Sequence, residues 1–339
     1  MGKKKKVMKY SGIGGQAVIE GVMMKNKDQY AVAVRKPNGE IEVEVEHYVG
    51  IAHGSKLLNF PFIRGVFQFI DSLILGMRSL NYAASFYEED DAKDKETATD
   101  KAFNKMFKDK ADQVFSAVVM IISLVIAVGI FMVLPYYITS LFAEYIRSAS
   151  FMAIIEGALR IVIFVLYVLS ISLMKDIRRV YRYHGAEHKC ISCIERGRPL
   201  TVNNVMRSSK QHKRCGTSFL LFVMLVSVVL FFFIRVENPV YRVLIRIALI
   251  PVIAGISYEI IRLAGRSNNI LVRIISAPGM WMQRLTTKEP DESMVEVAIA
   301  AVEAVFDWEE YLYETFGYEV DESWLRNDEE PKADDDGMD

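Results

Sequence analysis

The stretch VFSAVVMIISLVIAVGIFMVL, Val114 to Leu134, runs for 21 residues without a charge. Wound as an α-helix at about 1.5 Å per residue it is about 31 Å long, the hydrocarbon thickness of a bilayer, so it predicts a membrane span. Working outward, Phe151 to Met174 predicts a second span, broken only by Glu156 and Arg160, which lie four apart and can pair on one helix face at the interface. Phe219 to Ile234 predicts a third span, and Val243 to Leu263, carrying Pro251, Gly255 and Glu259, a fourth. The expected fold is an α-helical integral membrane protein with about four transmembrane helices.

The whole composition agrees. Of 339 residues 52% are hydrophobic and 24% charged, which excludes a disordered chain, a collagen-like one and a disulfide scaffold. Net charge is −1, from 41 Lys and Arg against 42 Asp and Glu, but the signs are segregated along the chain. Lys175 to Ser218 holds 11 basic residues against Asp176, Glu187 and Glu195, whereas Pro135 to Ser150 holds a single basic residue, Arg147. Basic segments stay cytosolic during insertion, which predicts the inner (plasma) membrane with both termini cytosolic, against the pull of Arg235, Arg242 and Arg246. Met1 to Lys6 starts positive but has no apolar run behind it, so no cleavable signal peptide is expected. Nothing suggests a nucleic-acid partner.

Outside the spans, Gln29 to Lys36 and Glu40 to Tyr48 flank Pro37-Asn38-Gly39 and predict a hairpin, with Glu40, Glu42, Glu44 and Glu46 on one solvated face. Gln16 to Met24 is a further strand opened by Gly14-Gly15, giving a small N-terminal antiparallel sheet. Phe60 to Ser85, with Arg64, Gln68, Asp71 and Arg78 on one stripe, predicts an interfacial amphipathic helix. Glu88 to Lys110 reads as a charged linker or solvated helix. Asp291 to Phe316 reads as an acidic helix with Val295, Ala298, Ile299, Val302 and Val305 on a stripe, followed by an acidic tail. The expected organisation is a β-rich region over 1–55, the interfacial helix and linker over 56–113, spans over 114–174, a cytosolic loop domain over 175–218, spans over 219–263 and a cytosolic helix and tail over 264–339.

Chemistry concentrates in the 175–218 segment, which holds three of the five histidines and all three cysteines. In His184-Gly185-Ala186-Glu187-His188, helical geometry would place both imidazoles one turn apart, able to share a Zn²⁺ ion. The order His-x-x-Glu-His is that of inverted zinc peptidases, in which the glutamate activates water. A third ligand is needed, and His212, Cys215, Glu195 and Cys193 all lie within reach in sequence. Gly185 argues against a regular helix there, because glycine costs up to about 1 kcal/mol relative to alanine, so the histidines could converge from a loop. The same residues also permit a closed structural zinc site from Cys190, Cys193, His212 and Cys215, a Cys190/Cys193 redox pair, or histidines that bind nothing. Glu259 predicts either a pair with Arg262 or support for the metal site.

Three motifs in order, Gly14 to Met24, His184 to Lys189, and His212 with Arg214 to Phe219, resemble the YqhQ-like family, and the similarity runs from about Gly12 to Ala300. This bacterial membrane family of unknown function has been described as predicted metal-dependent enzymes. The resemblance implies roles for Glu20, His184, Glu187, His188, Cys193, Glu195, His212, Cys215 and the Ser257-Tyr258-Glu259 stretch. The chain departs from it at Cys190, which counts against the closed cysteine site, and at Asn203, where a carboxylate is expected. The leading expectation is a metal-dependent, hydrolytic membrane enzyme in which His184, His188 and His212 or Cys215 hold Zn²⁺ and Glu187 handles protons. Glu20, Cys193, Glu195 and Glu259 would stand around that site. The alternatives are an adaptor with a structural zinc that binds acidic lipid or a membrane protein, and an oligomeric transporter.

Overall fold

A computed structural model describes residues 9–88, 111–142, 144–146, 148–234, 236, 238–266 and 269–317. The charged linker after residue 88, the acidic tail, Arg147 and Arg235 lie outside the described residues. The chain is mostly helical, with an N-terminal sheet of four antiparallel strands in the order β1-β2-β3-β4: β1 Gly14–Val18, β2 Gly21–Asn26, β3 Gln29–Arg35 and β4 Ile41–His47. The expected single strand over 16–24 is therefore two strands, joined through Ile19 and Glu20. Glu20 takes φ +49°, and Gly21 follows it because a Cβ there would overlap the Ala33 carbonyl oxygen.

The sheet is sandwiched between helices. On one face Tyr30, Val32 and Val34 pack with Leu75 and Ala83 of α1 (Ile63–Glu88). On the other, Val22, Met24, Ala31 and Ala33 meet α5 (Lys175–Glu195) and α11 (Glu292–Glu303). Met294, Val295, Ala298 and Val302 of α11 are wholly buried. Each larger apolar side chain buried this way contributes about 1.5–3 kcal/mol, against about 1 kcal/mol at most for an exposed ion pair such as Arg35–Glu296. Apolar packing therefore holds this layer. Of the β4 glutamates expected on a solvated face, Glu42 and Glu46 are exposed and Glu44 is half-buried; they sit opposite Val34, Tyr30 and Val32, and Val43 and Val45 on the other face are exposed as well.

Four helical segments are long and apolar enough to cross a membrane: Ala117–Ser140, Ser150–Ser172, Gly216–Phe233 and Val240–Gly265. The first is built from α2 (Ala111–Val128), a π-helical turn over Gly129–Val133 and α3 (Leu134–Ser140). Its Ile121 and Val125 are 59% and 65% exposed, a surface that is stable in hydrocarbon and costly in water. The second segment is α4 (Ala149–Ser172) and the third α7 (Gly216–Phe233), whereas the fourth breaks at Leu249 into α8 (Pro239–Ala248) and α9 (Ile250–Arg266). Pro251 lies in the first turn of α9, where its missing N–H is not needed.

Of the polar stripe of α1, Arg64 and Asp71 face protein, whereas Gln68 and Arg78 are exposed. Arg64 donates two hydrogen bonds to Glu259, at 2.7 and 2.6 Å, and Asp71 accepts one from the Tyr48 hydroxyl at 2.7 Å. Phe60, Phe62, Leu73 and Leu80 are exposed as well. Glu259 is thus paired chiefly across 195 residues of sequence, and the expected Arg262 partner stands farther off at 3.8 Å.

The 175–218 segment is not a loop domain. It forms α5 and the short α6 (Val202–Met206), and α5 continues straight through Gly185. Glycine is required there because the chain after α10 (Ile270–Thr286) crosses α5 so closely that a Cβ would overlap the Lys288 carbonyl oxygen. The helix expected over 291–316 is two, α11 and α12 (Trp308–Phe316), with Asp307 capping the second; of the stripe, Val295, Ala298, Val302 and Val305 are buried and Ile299 half-buried.

Candidate metal centre

His184 and His188 project from one face of α5, a turn apart, with ring centroids separated by 4.3 Å. Each ring is anchored at Nδ1: His184 donates to the Thr286 carbonyl at 3.0 Å, and His188 to the Lys210 carbonyl at 2.7 Å. A carbonyl only accepts, so Nδ1 must carry the proton in both rings, which leaves Nε2 as the lone-pair nitrogen of each neutral imidazole. Cys215 supplies the third donor. It caps the N-terminus of α7, with its sulfur 3.2 Å from His184 Nε2 and 3.0 Å from the Thr217 hydroxyl. Ligand atoms of His184, His188 and Cys215 all lie within 4.8 Å of one another.

The electrostatics follow from burial. Burial alone would raise the Cys215 thiol, but His184 and His188 beside it outweigh that and hold its pKa well below the ordinary range. Burial alone would likewise lower His184, and the Cys215 sulfur, then Glu187 and the Thr286 carbonyl, push it instead to about 9. Thiolate and imidazolium therefore stabilise each other, and a cation entering between them would displace the imidazole proton. Two imidazoles and a thiolate are donors suited to zinc.

Glu187, between the histidines in sequence, is buried, and one of its carboxylate oxygens has no hydrogen-bond partner. Burial pushes its pKa up, against the opposing pull of His184 and His188. Gly15 on β1 hydrogen-bonds it through the backbone, and a Cβ at Gly15 would come within 3.1 Å of Glu187 Cγ and overlap Met23 and Met24 of the next strand. The Gly14-Gly15 pair, read from sequence only as the opening of a strand, thus brings the sheet onto the centre.

The other expected residues stand elsewhere. His212 is outside the three-donor group: its Nε2 lies 3.3 Å from Glu195 and 3.2 Å from Arg214, and its ring centroid is 5.8 Å from that of His188. Glu195 also accepts from the Ser11 N–H and hydroxyl, each at 3.0 Å, and pairs with Arg214. Cys190 and Cys193 are in the apolar core against the sheet, Cys193 facing the Pro199 carbonyl at 3.3 Å, and none of the three cysteines forms a disulfide. The closed four-ligand arrangement is therefore not assembled. Glu20 is held by Arg179 at 2.6 Å and by the Tyr183 hydroxyl at 3.2 Å, and Glu259 by Arg64; neither belongs to the donor group.

Sequence reasoning missed α10, whose start is signalled by Asn269 capping Leu271 and by Ile270 and Ile274 one turn apart. It carries Gln283, fully buried, which accepts from the His212 N–H at 2.9 Å and donates to the His212 carbonyl at 2.6 Å and the Ser218 hydroxyl at 2.8 Å. This one side chain pins the loop whose Lys210 carbonyl orients His188.

The Glu195 cluster gives a stability prediction. Burial opposes ionisation of Glu195, but His212 and Arg214 outweigh it and bring the carboxyl down to about 2 from 4.5. A depressed carboxylate contributes stability above its unfolded pKa and loses it as pH falls toward the folded one. Acidification from pH 5 to 2.5 should therefore cost the protein about 2–3 kcal/mol through this group. Thermal unfolding of Glu195→Gln in the same window should show that much less acid sensitivity.

A family described as a protein of unknown function, DUF1385, matches residues 60–308. The chain is also 33% identical, over 290 residues, to the uncharacterized protein YqhQ of Bacillus subtilis (strain 168), covering 84% of this chain and 89% of that one. No solved structure matches. The matched region holds the three donors and Glu187, and the chain belongs to the DUF1385, YqhQ-like family, whose function is unknown.

Proposed function

We propose that this protein is a metal-dependent membrane enzyme of hydrolytic type, with zinc held by His184, His188 and Cys215. The observation that carries the reading is the pair of imidazoles locked at Nδ1 by backbone carbonyls, beside a low-pKa thiol and a buried carboxyl with one unpartnered oxygen. Three protein donors leave one position of a tetrahedron open, the arrangement of catalytic rather than closed zinc sites. Bound there, zinc supplies Lewis acidity toward water and toward a carbonyl or phosphoryl oxygen. Glu187 takes a proton and returns it: its raised pKa brings it nearer neutrality, where a general acid–base works best. The Thr286 and Lys210 carbonyls keep the rings from turning. The four apolar helices and the basic 175–218 segment support a multi-pass protein of the plasma membrane with both termini cytosolic.

The burial of His188, Cys215 and Glu187 favours a second reading, an adaptor in which the ion only staples α5 to α7. Lys175 and Arg178 at the start of α5 would then meet acidic lipid or a membrane protein. Glu187→Gln separates the two. For the enzyme, this variant keeps metal content and thermal midpoint but loses genetic complementation of a deletion strain. Full complementation would leave the adaptor.

A further inference from the structure

A second polar group, sharing no residue with the metal centre, is enclosed among the apolar helices. Glu156 and Arg160 on α4 and Arg246 on α8 are 5%, 1% and 5% exposed. Arg160 is fully engaged. Its Nε donates to the Phe131 carbonyl at 2.9 Å, the oxygen to which Pro135 cannot offer the N–H of a regular α-helix. Its Nη1 donates to the Ser227 hydroxyl at 3.1 Å, and its Nη2 to Glu156 at 2.9 Å. Arg246 is not so well served: Nη2 donates to Glu156 at 2.9 Å and Nη1 lies 2.6 Å from the same carboxylate, but Nε has no hydrogen-bond partner among the described residues.

The charges do not balance. Two guanidiniums share one carboxylate, so among the described residues one positive charge has no counter-ion. Arginine does not shed its proton to escape this. Phe231 lies against both, with ring-centroid distances of 4.8 Å to Arg160 and 4.9 Å to Arg246. A ring face stabilises a cation by about 0.5–2 kcal/mol, which falls short of the several kcal/mol that dehydrating a charge costs. Beside Glu156, Arg160, Phe231 and Arg246 the packing leaves a cavity of about 10 Å³, the room one water-sized particle needs.

We propose that this cavity binds one compact inorganic monoanion of the halide class, held by the Arg246 Nε–H, the one guanidinium nitrogen that Glu156 does not touch. This space is too small to take in a whole phosphodiester, which favours a halide over a lipid headgroup. The test is equilibrium binding of radiolabelled chloride to the purified full-length protein in detergent. Saturable binding of one ion per chain is expected, displaced by unlabelled chloride but not by the bulky anion gluconate. In Arg246→Gln the excess charge is gone, and affinity should fall at least about tenfold. A wild-type protein that binds no chloride saturably overturns the proposal, as does equal binding by a folded Arg246→Gln. Should that variant not fold, the wild-type measurement still decides, together with a thermal midpoint that rises with chloride over gluconate at constant ionic strength. A midpoint indifferent to the anion counts against the site.

Discussion

Purified His184→Ala, His188→Ala protein should retain less than about a tenth of the wild type's zinc, because a structural zinc site is worth about 10–16 kcal/mol and only Cys215 of the donor group survives. The informative comparison is His212→Ala. Its ring is committed to Glu195 and Arg214, so removing it should cost stability but leave metal content near that of the wild type. Metal analysis of the two variants beside the wild type measures this directly. Loss of metal in His212→Ala with retention in the double variant would move the ion toward Glu195 and away from α5.

Gly185→Ala should lower stability by about 3 kcal/mol or more, a sign opposite to the one helix propensity gives. In an open helix alanine is favoured over glycine by about 1 kcal/mol. Here the added Cβ would overlap the Lys288 carbonyl oxygen and crowd the Pro290 ring, and a backbone oxygen cannot rotate aside as a side-chain end can. The segment after α10 would have to lift from α5, breaking the hydrogen bond from the Lys288 N–H to the Tyr181 carbonyl at 2.9 Å and disturbing that from His184 to Thr286. Thermal and chemical unfolding in detergent would register the loss, with weakened zinc retention as its second sign. A variant as stable as the wild type would mean that the two segments do not cross this closely.

The four apolar segments were legible because a predominantly apolar run near bilayer length would be costly to keep in water, even where it carries a few charges. The pairing of His184 with His188 was legible because a four-residue spacing has one meaning on a helix. The third donor was not. Four residues were eligible by proximity in sequence, and only the turn that makes Cys215 the cap of α7 selects it, while Glu195 captures His212. Cys190 and Cys193 resemble ligands in sequence because composition does not say which side of α5 faces the sheet. For Glu259, local pattern offers only a local partner, Arg262, whereas Arg64 comes from the far side of the fold. Gly185 is the most misleading residue: what disfavours a helix in isolation marks where another chain must pass close to one.

The central claim, one ion shared by His184, His188 and Cys215, is tested most directly by X-ray absorption at the zinc edge of the zinc-loaded protein. The account predicts a first shell with one sulfur at about 2.3 Å and two imidazole nitrogens at about 2.0–2.1 Å, the sulfur lost in Cys215→Ser. A shell with two or more sulfurs, with none, or with a sulfur that persists in Cys215→Ser would contradict it.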